Sequence, residues 1–490
     1  MPIPLVCTSV TAPTMEELRR RRDAAARSAD LVELRLDSVE RPDVAGALEG
    51  RRGPVVVTCR PAWEGGAFEG AEEERRGLLT EAIRRGADYV DVEWKAGFED
   101  LVRSRGGRGI VMSWHRFDGL PPDLEAGYRA MRATGAEIVK IAVTANGLAD
   151  LVPLAALARN GSGRHVVIGM GPSGVLSRIL PRRFGSAWTY AGEGLAPGQV
   201  AVQRLVDEFR LRETTAGATI YGLLGRPVGH SLSPAMHNAA FRHTGLDAVY
   251  VPLEAASLQD FRRFATAFPL AGCSVTAPFK TEAFAFADRH EGDAAWLGAV
   301  NTLRRDDATW IGMNADVDGF LEPLVGRLDV SGVRAAVLGA GGAARAVAGG
   351  LVRQGAQVTL HARSIDRARA VAEATGGAAG PWPVPAGSWD LLVNATPVGT
   401  WPGPPESPVP AASLTGRLVY DLVYNPEETR LLAEASAAGC ETLGGLSMLV
   451  AQARRQSRWW TGCDVPAAIL ERAARGSRDA MAATTTEGKR

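Results

Sequence analysis

A rhythm in the chain constrains its fold more than any single motif. Over residues 1 to about 212, short apolar runs alternate with stretches patterned for amphipathic helices such as MEELRRRRDAAARSA and PDLEAGYRAMRATG. The runs are LVCTSV (5–10), LVELRL (31–36), PVVVTC (54–59), DYVDVE (88–93), GIVMSW (109–114), EIVKIAV (137–143), HVVIGM (165–170) and SAWTYA (186–191). Each is short and almost continuously apolar, as a strand buried on both faces of a parallel sheet must be. Eight strands alternating with helices predict a (β/α)8 barrel; a doubly wound open sheet is the alternative, and the count of eight favours closure. The polar stretch RETTAGA (212–218) reads as a linker. The alternation then restarts at TIYGLLG, and again near 332 with RAAVLGAGGAARAVAGGLVRQG followed by QVTLHAR. The predicted class is α/β throughout. It comprises a barrel over 1–212, a linker over 213–218, a second α/β unit over 219–325 and a third over 326–455. C-terminal helices cover 456–478, and a disordered tail covers 479–490.

Composition narrows the function. The 490 residues carry 55 basic and 55 acidic side chains. Neutrality argues against a nucleic-acid or membrane-surface partner, which calls for a basic excess. No apolar run approaches the roughly 18 residues of a membrane span. The N-terminus MPIPLVCTSV has no basic region ahead of its apolar stretch, so no signal peptide is expected. Five scattered cysteines without a CxxC pair read as free thiols in a reducing cytoplasm, and no metal cluster is visible. Only four basic residues are lysine (Lys95, Lys140, Lys280 and Lys489), and the other 51 are arginine. Lysine should persist where a neutral or proton-transferring amine is needed, because guanidinium does not deprotonate. Lys140 and Lys280 lie in the apolar surroundings IVKIAV and SVTAPFK.

Barrels place their chemistry at the C-terminal ends of strands. There the first half has Glu33 and Arg35 on the second strand, Arg60 after the third, Glu93 on the fourth, His115 on the fifth and Lys140 in the sixth. Arg178 follows the seventh and Gln199 the eighth. A lysine amine can attack a ketone and form an iminium, which acidifies the neighbouring carbon. A histidine can remove that proton and protonate a leaving hydroxyl, a glutamate can orient it, and arginine can grip a carboxylate. The set suits dehydration of a β-hydroxy ketone acid. The motifs ELRLD, VTCR, DVE, SWHRF, VKIAV, MGPSGVLSR, FGSAWTYA and APGQV resemble type I 3-dehydroquinate dehydratase over about 200 residues. That resemblance implies Lys140 as the Schiff-base lysine, His115 as the general acid/base and Glu93 as its partner. Glu33, Arg35, Arg60, Arg178 and Gln199 would hold substrate. Leu195 stands where the family usually has serine.

In the second half, GAGGAARA is a G-x-G-x-x-A turn of Gly339, Gly341 and Ala344 between strand and helix, a geometry that brings backbone to a pyrophosphate. The next strand ends in HARSIDR without a carboxylate before Asp366, and Arg363 suits a 2′-phosphate, which favours NADP over NAD. Lys280 and Asp316 are the pair suited to proton transfer. Asn301, Thr276 and Gln452 are suited to a polyhydroxylated ring, and Ser231 or Ser233, beside Pro234, to a helix start. The motifs SLSP, SVTAPFK, GAVNT, GMNADVDG, GAGGAARA, NATPVG, DLVYNP and GLSMLVAQA resemble shikimate dehydrogenase over about 260 residues. The resemblance implies an α/β substrate domain over 219–325, a Rossmann NADP-binding domain over 326–455 and helices over 456–478 that return to the substrate domain, with Lys280 and Asp316 as the catalytic dyad. It implies Ser231, Ser233, Thr276, Asn301, Tyr424 and Gln452 at shikimate, and Gly339, Gly341, Gly342, Ala343, Arg363, Ser364 and Thr396 at the cofactor. Departures are Ala362 in N-R-T, Ala315 in N-T-D, and Phe279 where the family has histidine before the lysine.

The two resemblances fit one pathway, with dehydration of 3-dehydroquinate to 3-dehydroshikimate and NADPH reduction of that product to shikimate. The order resembles the plant bifunctional enzymes. Those carry a plastid transit peptide, whereas this chain starts almost at its first strand, so a cytoplasmic protein is expected. Each half looks complete in one chain, which implies a monomer. Two alternatives stay open: a reductase half that acts on quinate or with NAD, and a catalytically silent sensor.

Overall fold

The computed structural model describes residues 4–161, 163–192 and 198–487. Its first sheet has eight parallel strands: β1 (Leu5–Val10), β2 (Leu31–Arg35), β3 (Val55–Thr58), β4 (Tyr89–Glu93), β5 (Ile110–Arg116), β6 (Ile138–Thr144), β7 (Arg164–Met170) and β8 (Trp188–Ala191). Their order, β7-β6-β5-β4-β3-β2-β1-β8, is chain order carried round until β8 lies beside β1. The ends meet where the Ala187 N–H donates to the His165 carbonyl at 2.8 Å and His165 bridges Ser186. The eight strands therefore form a near-closed barrel, as the count of eight predicts.

Strand alternation sorts its interior into layers. Leu31, Val56, Val111 and Ile138 belong to an apolar cluster that Trp188 and Tyr190 join. Two residues further along the same strands come Glu33, Thr58, Ser113 and Lys140, all buried. The polar layer thus sits nearer the C-terminal ends of the strands, on a dry apolar floor.

The second half has two sheets. One contains β9 (Thr219–Gly225), β10 (Ala248–Glu254), β11 (Leu270–Val275), β12 (Arg289–Glu291), β13 (Thr302–Asp306) and β14 (Thr309–Met313), in the order β10-β9-β11-β13-β14-β12. The hairpin β13–β14 is antiparallel and β12 is a three-residue edge. The other contains β15 (Arg334–Leu338), β16 (Gln357–His361), β17 (Ala378–Gly380), β18 (Leu391–Asn394), β19 (Leu418–Asp421) and β20 (Glu441–Gly444), parallel in the order β17-β16-β15-β18-β19-β20. This is the doubly wound Rossmann order, with its switch point between β15 and β18. Val337, Leu360 and Val393 point to one core with helix Gly342–Arg353, and Ala336, Leu392 and Val419 to another on the opposite face. That double burial is why these strands read as continuous apolar runs.

The chain divides into two compact units, one of residues 1–220, 226–229 and 247–269, the other of 221–225, 230–246 and 270–490. In the second, helices Gly445–Thr461 and Ala467–Glu487 pack on helix Ser233–His243 through Met236, Ala240, Val450 and Leu470. The last helix corrects the expected tail over 479–490, since it continues to Glu487. Once a docked segment has nucleated a helix, an alanine-rich continuation extends it at little cost. Among the described residues no helix is long and apolar enough to cross a membrane.

Candidate active sites

In the barrel, Lys140 is buried at 5% exposure in mid-strand, its Nζ 3.3 Å from Glu33 Oε1 and 3.2 Å from Asp91 Oδ2, over the Tyr190 ring at 4.4 Å. Glu33 also accepts from Thr58 Oγ1 at 3.0 Å and from the Ser9 hydroxyl. Burial alone would raise its carboxyl, but the Lys140, Arg35 and Arg60 charges outweigh it and hold Glu33 down at about 2. Asp91 is likewise held below its ordinary range, with burial overcome by Arg60 and Lys140.

His115 lies on the neighbouring strand. Ser113 pairs with Lys140 in the β5–β6 register, so His115, two residues on, faces the same interior. Burial, then the Arg60 and Lys140 charges, push its pKa well below the ordinary histidine value. The imidazole is neutral at physiological pH and available as a base.

The structure corrects the expected partner of His115. Its Nδ1 lies 2.9 Å from Oε2 of Glu64, not beside Glu93. Glu93 is taken by two buried guanidiniums, Arg60 at 2.7 Å and Arg75 from helix Glu72–Arg84. A carboxylate at a strand end pairs with the cations already buried around it, because leaving them unpaired costs several kcal/mol by order of magnitude. Glu64 ends the short 3-10 turn Ala62–Glu64 after β3, where burial lifts its carboxyl to about 8, opposed by Arg60 and reinforced by Glu93 and Asp91. Sequence reasoning missed Glu64 and Asp91. Asp91 could have been found, since it stands two residues before Glu93 on one strand and therefore shares its inward face. Glu64 follows Arg60 by four residues and directly precedes Gly65 and Gly66, a weak signal in a loop. A Cβ on Gly66 would lie 2.0 Å from the Arg60 carbonyl, so the loop doubles back there.

The remaining predicted residues divide. Arg35 pairs with Asp37 at 2.7 Å. Arg60 is held by Asp91 at 2.9 Å, Glu93, and Ser113 at 2.8 Å, so its guanidinium is already committed to the protein. Arg178 differs: it is 2% exposed, its Nη1 donates to the Tyr190 carbonyl at 3.2 Å, and its Nε has no hydrogen-bond partner. Burial lowers its pKa to about 10. A desolvated guanidinium without a carboxylate partner among the described residues fits a site for a substrate carboxylate. Gln199 packs against Gly192 just beyond β8, whereas Leu195 lies outside the described residues.

In the second half, Lys280 opens helix Lys280–Phe286 and its Nζ donates to Asp316 Oδ2 at 2.6 Å. Asp316 opens helix Asp316–Leu321 and is 3% exposed. Its Oδ1 accepts from Asn301 Nδ2 at 2.9 Å and from Gln452. Gln452 reaches it because the facing residue is Gly319, where a Cβ would lie 2.4 Å from the Gln452 Cγ. Ser231 Oγ accepts the Ser233 N–H at 3.2 Å at the start of helix Ser233–His243. Tyr424 packs against that helix, and burial raises the pKa of its hydroxyl, opposed by Ser231. Thr276 follows β11, its N–H bonded to the Leu224 carbonyl at 2.8 Å. Asn301 and Gln452 thus gather on the Lys280–Asp316 dyad, Ser231, Ser233 and Tyr424 lie at the start of helix Ser233–His243, and Thr276 stands just past the end of β11.

The glycine turn lies at the switch point of the third sheet. Gly339 has φ +111°, a backbone favouring glycine, and a Cβ there would meet the Ala395 carbonyl oxygen at 3.1 Å. At Gly341 nothing lies within 4 Å of a Cβ, so open space faces the N-terminus of helix Gly342–Arg353, which Ala343 continues. A Cβ on Gly342 would be 3.7 Å from Lys280 Cδ, so the turn adjoins the dyad. Thr396 is fixed by its hydroxyl on Asn394 Oδ1 at 2.7 Å. Ser364 caps helix Ile365–Thr375, and Arg363 beside it is exposed. An open helix N-terminus with an exposed arginine after the second strand fits a dinucleotide carrying a 2′-phosphate.

Comparison with known proteins follows the same division. The family model for type I 3-dehydroquinase matches residues 6–216. Those for the shikimate dehydrogenase substrate binding domain and the shikimate 5′-dehydrogenase C-terminal domain match residues 223–303 and 445–475. The chloroplastic bifunctional 3-dehydroquinate dehydratase/shikimate dehydrogenase of Arabidopsis thaliana is 34% identical over 505 residues, covering 94% of this chain and 83% of that protein. The shikimate dehydrogenase (NADP(+)) of Halobacterium salinarum is 43% identical over 263 residues, covering 52% of this chain and 98% of its own. A crystal structure of a shikimate dehydrogenase in complex with NADP+ aligns with a TM-score of 0.51 and 34% identity, covering 54% of this chain and 96% of that one. The chain belongs to the family of bifunctional 3-dehydroquinate dehydratase/shikimate dehydrogenases.

Proposed function

We propose that the chain dehydrates 3-dehydroquinate to 3-dehydroshikimate on Lys140 and reduces that product to shikimate with NADPH beside Lys280 and Asp316. The observation that carries this reading is the pair of buried or half-buried lysine sites, each with its own acid/base neighbours.

In the barrel the Lys140 amine attacks the substrate ketone, and water leaves as the iminium forms. Neutral His115 takes a proton from the carbon beside the iminium. The electron pair left there expels the β-hydroxyl, to which His115 returns the proton, so a second water departs. Hydrolysis of the iminium frees the product and the amine. Glu33 and Asp91 supply the negative field that stabilises the cationic iminium. Glu64 orients the imidazole through Nδ1, and Arg178 receives the substrate carboxylate.

In the second half, bound NADPH supplies the hydride for the carbonyl carbon. Lys280 donates a proton to the alkoxide oxygen that results, and Asp316 fixes the lysine's direction. Asn301 and Gln452 hold Asp316, while Ser231, Ser233, Thr276 and Tyr424 are the polar groups left for the ring hydroxyls and carboxylate. Arg363 and Ser364 favour NADPH over NADH. In functional terms the barrel ends near 212, the substrate domain spans 219–325 and the cofactor domain 326–455. Five free cysteines support a reducing compartment, the cytoplasm in this reading. Each constellation comes from one chain, which supports a monomer; light scattering would read its mass.

Borohydride added during turnover of 3-dehydroquinate should fix substrate on Lys140, located by peptide mass spectrometry. Label on another residue, or none with turnover intact, would reject the Schiff base.

A further inference from the structure

The Lys280–Asp316 pair stands at one end of a buried hydrogen-bond chain. Asp316 Oδ1 accepts from Asn301 Nδ2 at 2.9 Å. Asn301 Oδ1 accepts from the Ala315 N–H at 2.9 Å and from Thr302 Oγ1 at 2.8 Å. Thr302 Oγ1 accepts in turn from Gln456 Nε2 at 2.9 Å. Gln456 Oε1 accepts from Ser274 Oγ at 2.9 Å and lies 3.3 Å from His237 Nε2. Asn301, Thr302, Ser274, His237 and Gln456 are all buried.

Every orientation along this chain is forced. A carboxylate only accepts, so Asn301 presents its amide nitrogen to Asp316. Its oxygen therefore faces the Ala315 N–H, which only donates, and the Thr302 hydroxyl. Thr302 has one proton and gives it to Asn301, so it can only accept from the residue behind it. Gln456 must then show Thr302 its nitrogen and turn its oxygen to Ser274 and His237. Reversal of the Gln456 amide would make its oxygen compete for the Thr302 proton and leave the Asn301 oxygen one donor short among buried groups.

We propose that Thr302 and Gln456 are positioning residues for the dehydrogenase reaction, fixing through Asn301 the direction in which Asp316 holds Lys280. The proposal rests on the reading of Lys280 and Asp316 as the proton-transfer pair. Gln456 stands one helical turn after Gln452, so helix Gly445–Thr461 supports Asp316 twice, once by direct contact and once through the relay.

The test measures kcat and KM for shikimate oxidation on the full chain, with the dehydratase activity of each preparation as a check on integrity. Thr302→Val keeps the shape and removes the hydroxyl; kcat should fall about tenfold, more than KM rises, as expected for one lost buried hydrogen bond. Thr302→Ser should recover most of the loss. Gln456→Met should fall by a similar factor, and the double variant should be no worse than either single, because both break one chain. Unchanged kcat in Thr302→Val, no recovery in Thr302→Ser, or additive losses would overturn the proposal. Should the valine variant fail to fold, Gln456→Glu gives an independent reading. An ionised glutamate cannot donate to Thr302 and a protonated one can, so its activity relative to the unaltered chain should rise as pH falls; a flat ratio would overturn the relay. Failure of the dehydrogenase reading itself has another signature, the absence of shikimate oxidation in the unaltered chain.

Discussion

Two buried groups in the barrel decide how its site responds to change. Glu64 keeps a proton up to about pH 8, whereas an unfolded glutamate loses it near 4.5. Between those values the folded chain binds the extra proton, so the contribution of Glu64 to stability is full below 4.5 and is lost as pH rises toward 8. Denaturant midpoints of the Glu64→Gln variant should therefore fall less between pH 5 and pH 8 than those of the unaltered chain; parallel curves would contradict the assignment. Glu64→Ala should lose about tenfold or more in dehydratase kcat, since the imidazole loses the side chain that orients it. Arg178 offers the opposite separation of stability from function. It is a desolvated cation bonded to one carbonyl, so Arg178→Met should leave thermal stability unchanged or raised, as replacing buried charge often does. Its KM for 3-dehydroquinate should rise by roughly 10–100-fold, the scale of a lost charge-assisted bond. A variant with a lowered melting temperature and KM intact would make Arg178 structural.

At the scale of elements, the glycine turn separates folding from cofactor binding. A Cβ at Gly341 meets nothing in the protein, so Gly341→Ala should keep its melting temperature while its KM for NADPH rises about tenfold. Gly339→Ala should be destabilised as well, because its φ of +111° and the Ala395 carbonyl both oppose a side chain. Equal melting temperatures for the two would contradict this. The elements that sequence revealed share a physical cause. The barrel strands, and β15, β16, β18 and β19, are buried along most of their length and so appear as apolar runs. The edge strands β12 and β17 carry RHE and AAG, and β13 carries TLRRD; short or half-exposed strands need no continuous apolar run and left no such mark. The sites divide similarly. Lysine scarcity exposed Lys140 and Lys280, and strand ends exposed Glu33 and His115. The His115 partner was misread because it depends on a loop doubling back at Gly66 and on which carboxylates Arg60 and Arg75 capture, neither of which leaves a periodic trace in sequence.

For the whole molecule, the two constellations are separate sets of residues, Lys140 with His115 in the barrel and Lys280 with Asp316 in the second half, and no side chain is shared between them. Fusion then joins two complete reactions in one chain. Assay of both activities on Lys140→Arg and Lys280→Arg tests this most directly. A guanidinium retains charge and cannot act as the neutral amine or proton donor. Lys140→Arg should abolish dehydration and keep shikimate oxidation near its original rate, and Lys280→Arg should do the reverse. Loss of both activities in either folded variant, or survival of the targeted activity, would contradict two independent lysine sites.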